Sequence, residues 1–328
     1  MVRDFSETGG EFRASGAVRT DNLISNEAGF EPALALLRQI NRPGAYLGVG
    51  PDQNFTYVTA LAPTIAFIVD IRRDNMRLHL LFKALVEMSE DRADFLSRLF
   101  ARPRPRLRWR ATPAEMLAAF RAVPRSALLA SDTLRALLAL LEQTHGFALS
   151  AEDREHISAA YEAFGVSGPD IRWDSSGDRW IPTYADLMGE TDQSGHSHSY
   201  LASERTFGTL KAYQASNRIV PLVGDFAGDK TLRAIGSYLR EHEDVVAAFY
   251  TSNVESYLRG EASTRFAANV AALPFNQRSA LIRAVFKVVG LVDDRPQYRT
   301  SLVLLSMADF VRSSARRERL PSPRVFRR

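Results

Sequence analysis

Gly48, Gly50, Asp52 and Asp70 are the residues of this chain whose types and spacing first suggest chemistry. Glycines between a strand and a helix let a ligand approach the backbone. A carboxylate about twenty residues on, at the end of the next strand, can accept both hydroxyls of a ribose. Only G-x-G is present, because Gln53 stands where a dinucleotide fingerprint carries its third glycine. The plainer alternative is an ordinary strand, turn and helix inside an α/β core. Asn54 belongs to the same loop, and Pro51 and Asp52 suit the start of a helix.

Further candidates lie at other turns. Asp225 and Phe226 sit in VGDFAG, and Asn253 and Glu255 in TSNVESY, each after a short apolar run. Tyr250 and Tyr257 could wall a pocket beside them. Asn22, Ser25, Asn26 and Glu27 crowd the entrance to a helix, where they would either cap it or fold as a polar lid over the glycine loop. Arg72 and Arg73 could meet an anion or pair with surface acids. Tyr184, Asp186, Thr191 and Asp192 are polar residues without an assigned role. His196 and His198 form an H-x-H in a Ser/Gly loop, which would need ligands from elsewhere to hold a metal, so no metal is assigned.

These residues need a scaffold of strands. Ala45 to Leu47 reads as a first strand, Phe55 to Leu61 as a helix, and Ile65 to Ile71 as a strand buried on both faces, with Asp70 at its end. Met76 to Met88 carries an apolar stripe at helical spacing, with His79 read as structural. Arg92 to about Phe164 reads as helical, broken by an Arg/Pro stretch, Pro113 and Pro124, which suggests an inserted cap. Residues 165 to 200 are loop-like. Ile219 to Val223 and Val245 to Tyr250 read as strands flanking a helix over Lys230 to His242. Glu261 to Leu273 and Gln277 to Val289 read as helices, and Leu302 to Ser306 as a last strand.

The chain has 328 residues, 45% of them hydrophobic, enough for a large core. It lacks cysteine, which excludes disulfides, thiolate nucleophiles and Cys-ligated metals. Neither a long apolar run nor a signal-like N-terminus is seen, so a cytoplasmic protein without a membrane span is expected. The net charge of +4 is unevenly spread: Arg102 to Arg110 holds five arginines and Arg316 to Arg328 six. Without those segments the chain is acidic. Such runs are more often solvated connections than recognition surfaces, so nucleic-acid contact is the minority reading.

On GVGPDQNF, AFIVDIRR, VGDFAG and FYTSNVE the chain resembles the class I S-adenosylmethionine-dependent methyltransferases. It is similar, more closely, to a little-characterised methyltransferase-like bacterial family. The resemblance implies a Rossmann-like, mostly parallel sheet with a large helical insertion after the second strand. It implies that Gly48 and Gly50 lie under the methionine part of S-adenosylmethionine, that Asp70 holds the ribose and that Asp225 contacts adenine. Asp52, Asn54 and Phe226 complete the implied cofactor site, and Asn253 and Glu255 fall where substrate-facing catalytic groups often stand. Three departures accompany it: the glycine loop is poor in glycine, the helical block is unusually long, and the Asn/Asp-Pro-Pro-aromatic signature of amino-group methylation is missing.

The expected organisation is a flexible arm over 1–20, a first half-domain over 21–90, and an insertion with its loop over 91–215. A second half-domain over 216–312 and a disordered basic tail over 313–328 complete it. The first functional reading is a methyltransferase acting on a small-molecule or macromolecular acceptor that the sequence does not name. The others are a non-catalytic binding protein for an adenosine-containing metabolite or a partner, a nicotinamide-dependent oxidoreductase, and an RNA-binding or RNA-modifying protein.

Overall fold

The computed structural model describes residues 1–11, 22–30, 33–34, 37, 43–173, 181–292 and 295–315, with the backbone alone over 286–299. In chain order the first half holds α1 (Val2–Phe5), β1 (Ala45–Gly48), α2 (Gln53–Leu61), β2 (Ala66–Asp70) and α3 (Arg73–Met88). A helical block follows: α4 (Arg92–Leu99), α5 (Pro113–Arg121), α6 (Ala127–Ala139), α7 (Ala151–Ser167), α8 (Tyr184–Met188) and α9 (Glu204–Ala215). The second half holds β3 (Ile219–Val223), α10 (Thr231–Glu241), β4 (Val246–Ser252), α11 (Glu261–Ala272), β5 (Phe275–Val292), β6 (Arg295–Ser306) and α12 (Met307–Ala315).

The fold is α/β, built on a six-stranded sheet in the order β3-β2-β1-β4-β5-β6. All pairings are parallel except β5 with β6. Every residue of β1, β2 and β3 is buried. That burial explains their continuous apolar composition, since parallel strands are covered on both faces. Strand alternation then sorts the aromatics. Phe249 packs on Phe226 at 5.0 Å and on Phe266 of α11 at 6.4 Å, whereas its neighbour Tyr250 meets Tyr57 of α2 at 5.1 Å on the opposite face. Strand order reverses at β1, so the carboxyl ends of β1 and β4 flank the switch point where such sheets bind ligands.

The helical block covers α3 so far that Asn75, Arg77, His79 and Lys83 are buried along with its apolar stripe. Arg77 is bonded to Asp74 and Asp153, and Lys83 donates to Glu87, the Gln214 carbonyl and Asn217. Two arginine partners, Arg73 and Arg77, hold the Asp153 carboxyl well below its usual range. Helix starts in the block are legible as S/T-x-x-D/E: Thr112 with Glu115, Ser150 with Asp153 and Thr183 with Asp186 form capping boxes. Pro113 therefore begins a helix and does not break one.

The helix expected over Gln277 to Val289 is overturned, because these residues lie in β5. Ala280, Leu281 and Ile282 pair with Ala248, Phe249 and Tyr250 of β4, while β6 pairs along the other edge from Ser306 to Arg295. Ladders on both sides outweigh a local spacing that also suits a helix. The tail expected from Ser313 begins inside α12, and residues 316–328 lie outside the described residues. Of the helix expected through Leu34, Leu37 and Ile40, residues 33, 34 and 37 are helical and Ile40 lies outside the described residues.

The arm expected to be loose over 1–20 is fastened over its first ten residues, and 12–20 lie outside the described residues. Phe5 packs on Phe67 and Tyr238. The Glu7 amide donates to the Val223 carbonyl at 2.8 Å and the Gly10 amide to the Ile71 carbonyl at 2.8 Å. The Glu7 carboxylate accepts the Asp225, Lys230 and Thr231 amides at 3.2, 2.8 and 2.7 Å, filling the N-terminus of α10, which has no cap of its own. Glu7→Ala should therefore cost about 1 to 2 kcal/mol in urea unfolding, the loss expected for a helix cap; an unchanged midpoint would show that the arm adds nothing to stability.

Candidate functional site

Gly48 ends β1 and cannot carry a side chain. A Cβ there would overlap Asn54 Oδ1 and approach Tyr46 Cε1 to 2.8 Å. Asn54 is the clamp of the turn: its amide donates to the carbonyls of Val49, Gly50 and Pro51 at 3.0, 3.1 and 2.7 Å, while its Oδ1 accepts the Tyr46 hydroxyl at 2.8 Å. Gly50 has a φ of +78° and nothing within 4 Å of the position a Cβ would take, so the turn is open on that side. His79 Nε2 lies 2.9 Å from the Gly50 carbonyl, which puts its proton on Nε2 and leaves Nδ1 as an acceptor. Burial lowers its pKa to about 4, so the ring is neutral.

Asp52 is fully buried at the start of α2. Its Oδ2 accepts the Tyr200 hydroxyl at 2.9 Å, and Tyr200 is 2.6 Å from the Tyr184 hydroxyl. Desolvation raises the Asp52 pKa to about 7. Among the described residues, its Oδ1, Gln53 Oε1 and His79 Nδ1 are buried acceptors without a hydrogen-bond partner, and Asn75, one turn before His79 on α3, has an unpartnered side-chain amide. Such atoms are uncommon in folded proteins and ask for a donor.

A second acid lies across the switch point. Glu27 is fully buried, with one oxygen accepting the Tyr250 hydroxyl at 2.5 Å and the other the Ser252 hydroxyl, both at the end of β4. Burial raises its pKa to about 7, and Tyr46, Tyr57 and Tyr250, all near its charge, are pushed well above their ordinary range, chiefly by burial. Gln53 Nε2 donates to the Tyr57 hydroxyl at 3.1 Å, tying this cluster to the glycine turn. The Gly29 amide donates to Glu190 at 2.6 Å, fastening the 22–30 segment to the loop after α8. Of the two roles open to Asn22 through Glu27, a cap or a lid over the glycine loop, Ser25 accepts the Glu27 amide at 3.0 Å in a cap-like bond, while the Glu27 carboxyl is bonded to the end of β4.

The other expected residues have partners within the chain. Asp70 accepts the Arg72 amide at 2.8 Å and its guanidinium at 3.2 Å. Asp225 closes its own turn by accepting the Ala227 amide at 2.8 Å. Phe226 is a core residue, stacked on Phe266 at 5.6 Å. Glu255 is held by both nitrogens of an Arg283 fork at 2.6 and 2.8 Å, and Asn253 accepts from Ser252 and donates to Tyr257. Sequence reasoning does not single out Tyr200 and gives Glu27 no role beyond its cluster, because neither stands in a motif. A polar cluster before an apolar run is the one signal for Glu27.

A family model described as a domain of unknown function, DUF7790, matches residues 23–106 and 120–319. The chain belongs to this family. A search among curated proteins found no match. The DUF7790 match takes in Glu27, the glycine turn, His79, Tyr200 and Tyr250. Glu7 and residues 107–119 fall outside it.

Together the DUF7790 site offers an open glycine turn flanked by two carboxyls that exchange protons near neutrality. Acids tuned to that range serve as general acids or bases, and a buried carboxylate attracts a cation. Among the described residues, no group of three or more His, Asp or Glu side chains is arranged to hold a metal ion.

Proposed function

We propose that the chain is an S-adenosylmethionine-dependent methyltransferase that takes its cofactor over the Gly48–Gly50 turn. The observation that carries this reading is Asp52. A helix N-terminus after a glycine turn usually suits a phosphate, but a buried carboxyl there opposes an anion and favours a positive group. That sign argues against a dinucleotide. The unpartnered acceptors at Asp52, Gln53 and His79 fit a ligand bearing N–H donors and positive charge. Bound there, S-adenosylmethionine supplies an electrophilic methyl group on a sulfonium.

The residues' own tasks follow from their surroundings. Asp52 holds the cationic part of the ligand, and the Tyr184–Tyr200 pair fixes its carboxyl. Glu255 is held by an Arg283 fork, so we assign proton acceptance to Glu27. Asp70 accepts the Arg72 amide on one oxygen and its guanidinium on the other, so a ribose would share this carboxylate with Arg72. The glycine-poor turn, with Gln53 in place of a third glycine, favours a second reading, a protein that binds an adenosine-containing metabolite without transferring a group.

Calorimetric titration with S-adenosylmethionine and S-adenosylhomocysteine, on wild type and Asp52→Asn, tests the first reading. Asp52→Asn should weaken S-adenosylmethionine by about tenfold or more, the equivalent of about 1.4 kcal/mol. A larger loss for S-adenosylmethionine than for S-adenosylhomocysteine would assign Asp52 to the sulfonium, and equal losses to the α-ammonium. Unchanged affinity in the variant, or no wild-type binding, would remove the assignment. Binding without methylated product would favour the second reading.

A further inference from the structure

Arg104 to Arg110 forms a surface strip on the helical block that the proposed methyl transfer does not use. Residues 102–108 have neither helix nor strand, and exposure alternates along them: Arg104, Arg106 and Arg108 are exposed while Pro105 and Leu107 are half-buried. Successive side chains of an extended segment point to opposite sides. Pro103 and Pro105 favour that extended form, and Leu107 packs against the hydrophobic core. The three arginines therefore stand in a row toward solvent.

Arg104 is bonded to Asp91 at 2.7 Å. The side chains of Arg106 and Arg108 make no hydrogen bond or ion pair among the described residues, although the Arg108 charge acts on Glu115. Trp109 follows at 79% exposure, above Leu128 at 72% and Val166 at 63%. Arg110 lies over its ring at 4.0 Å from the centroid. A large aromatic left in water beside unpaired cations is not what a solvated connection needs, because indole gains from burial.

We propose that this strip docks single-stranded nucleic acid, with Arg106, Arg108 and Arg110 on phosphates and the Trp109 ring stacked on a base. The arginines alone would suit any polyanion. The indole selects among them, since every base offers a flat π-face and an acidic peptide offers none. The strip reads no sequence, because it engages its ligand through charge and stacking.

Fluorescence anisotropy of a short labelled oligouridylate with the full chain tests this, at about 50 and about 200 mM salt. A glutamate-rich peptide of equal charge serves as the competing class. Trp109→Ala should weaken oligonucleotide binding about tenfold. Replacing Arg106 and Arg108 together with serine should lower the salt slope by about 1.4, at about 0.7 for each phosphate no longer neutralised. All three side chains are exposed, so the variants should unfold at the wild-type temperature. The proposal is overturned if the oligonucleotide does not bind at the lower salt, if Trp109→Ala leaves its affinity unchanged, or if the peptide binds as tightly.

Discussion

Gly48→Ala should cost about 3 kcal/mol, the upper end for an overpacked core site, and should abolish any ligand binding at the glycine turn. The new methyl would overlap Asn54 Oδ1 and press on the Tyr46 ring. Neither can step aside, because both are fully buried and bonded to each other, and the Asn54 amide holds three carbonyls of the turn. Gly50→Ala provides the contrast. Its φ of +78° costs an alanine about 1 to 2 kcal/mol, but the methyl meets nothing within 4 Å. The second variant should therefore stay folded and lose affinity for a ligand lying over the turn. Urea unfolding and calorimetry on the pair separate the effects. Equal stability losses in the two variants would mean that the crowding at Gly48 relaxes.

Much of the fold is legible in the sequence because the parallel strands are buried on both faces. AFIVD and IVPLV read as strands without knowledge of their neighbours, and the glycine turn follows from the strand before it and the helix after it. β5 is misread because a run such as ALIRAVF has spacing compatible with either structure, and its two ladders come from β4 and from β6. The site is only partly legible for a related reason. Gly48, Gly50 and Asp52 are local to one turn, whereas Glu27 meets Tyr250 and Ser252 over more than two hundred residues, and Tyr200 reaches Asp52 over almost one hundred and fifty. The sequence also cannot show that a carboxylate is already engaged, as Asp70 is by Arg72 and Glu255 by Arg283.

Glu27→Gln should change how stability depends on pH. Burial raises the Glu27 pKa from 4.5 to about 7, with the hydroxyls of Ser252 and Tyr250 opposing part of that rise. Between those values the folded protein keeps a proton that the unfolded chain has lost, so this residue's contribution falls as pH rises from about 4.5 to about 7 and then levels. A shift of that size corresponds to about 3 kcal/mol. Asp52 acts in the same direction from 3.8 to about 7, whereas neutral His79, lowered from 6.5 to about 4, acts in the opposite one. The wild-type curve mixes all three, so the difference between wild type and variant is the decisive quantity. Glutamine mimics the protonated acid, with one donor and one acceptor for Tyr250 and Ser252. Urea unfolding at pH 5 and pH 8 should show the variant close to wild type at the lower pH and more stable by about 3 kcal/mol at the higher. A difference that stays constant between the two would mean that Glu27 does not exchange its proton near neutrality, and the assignment of this residue as proton acceptor would go with it.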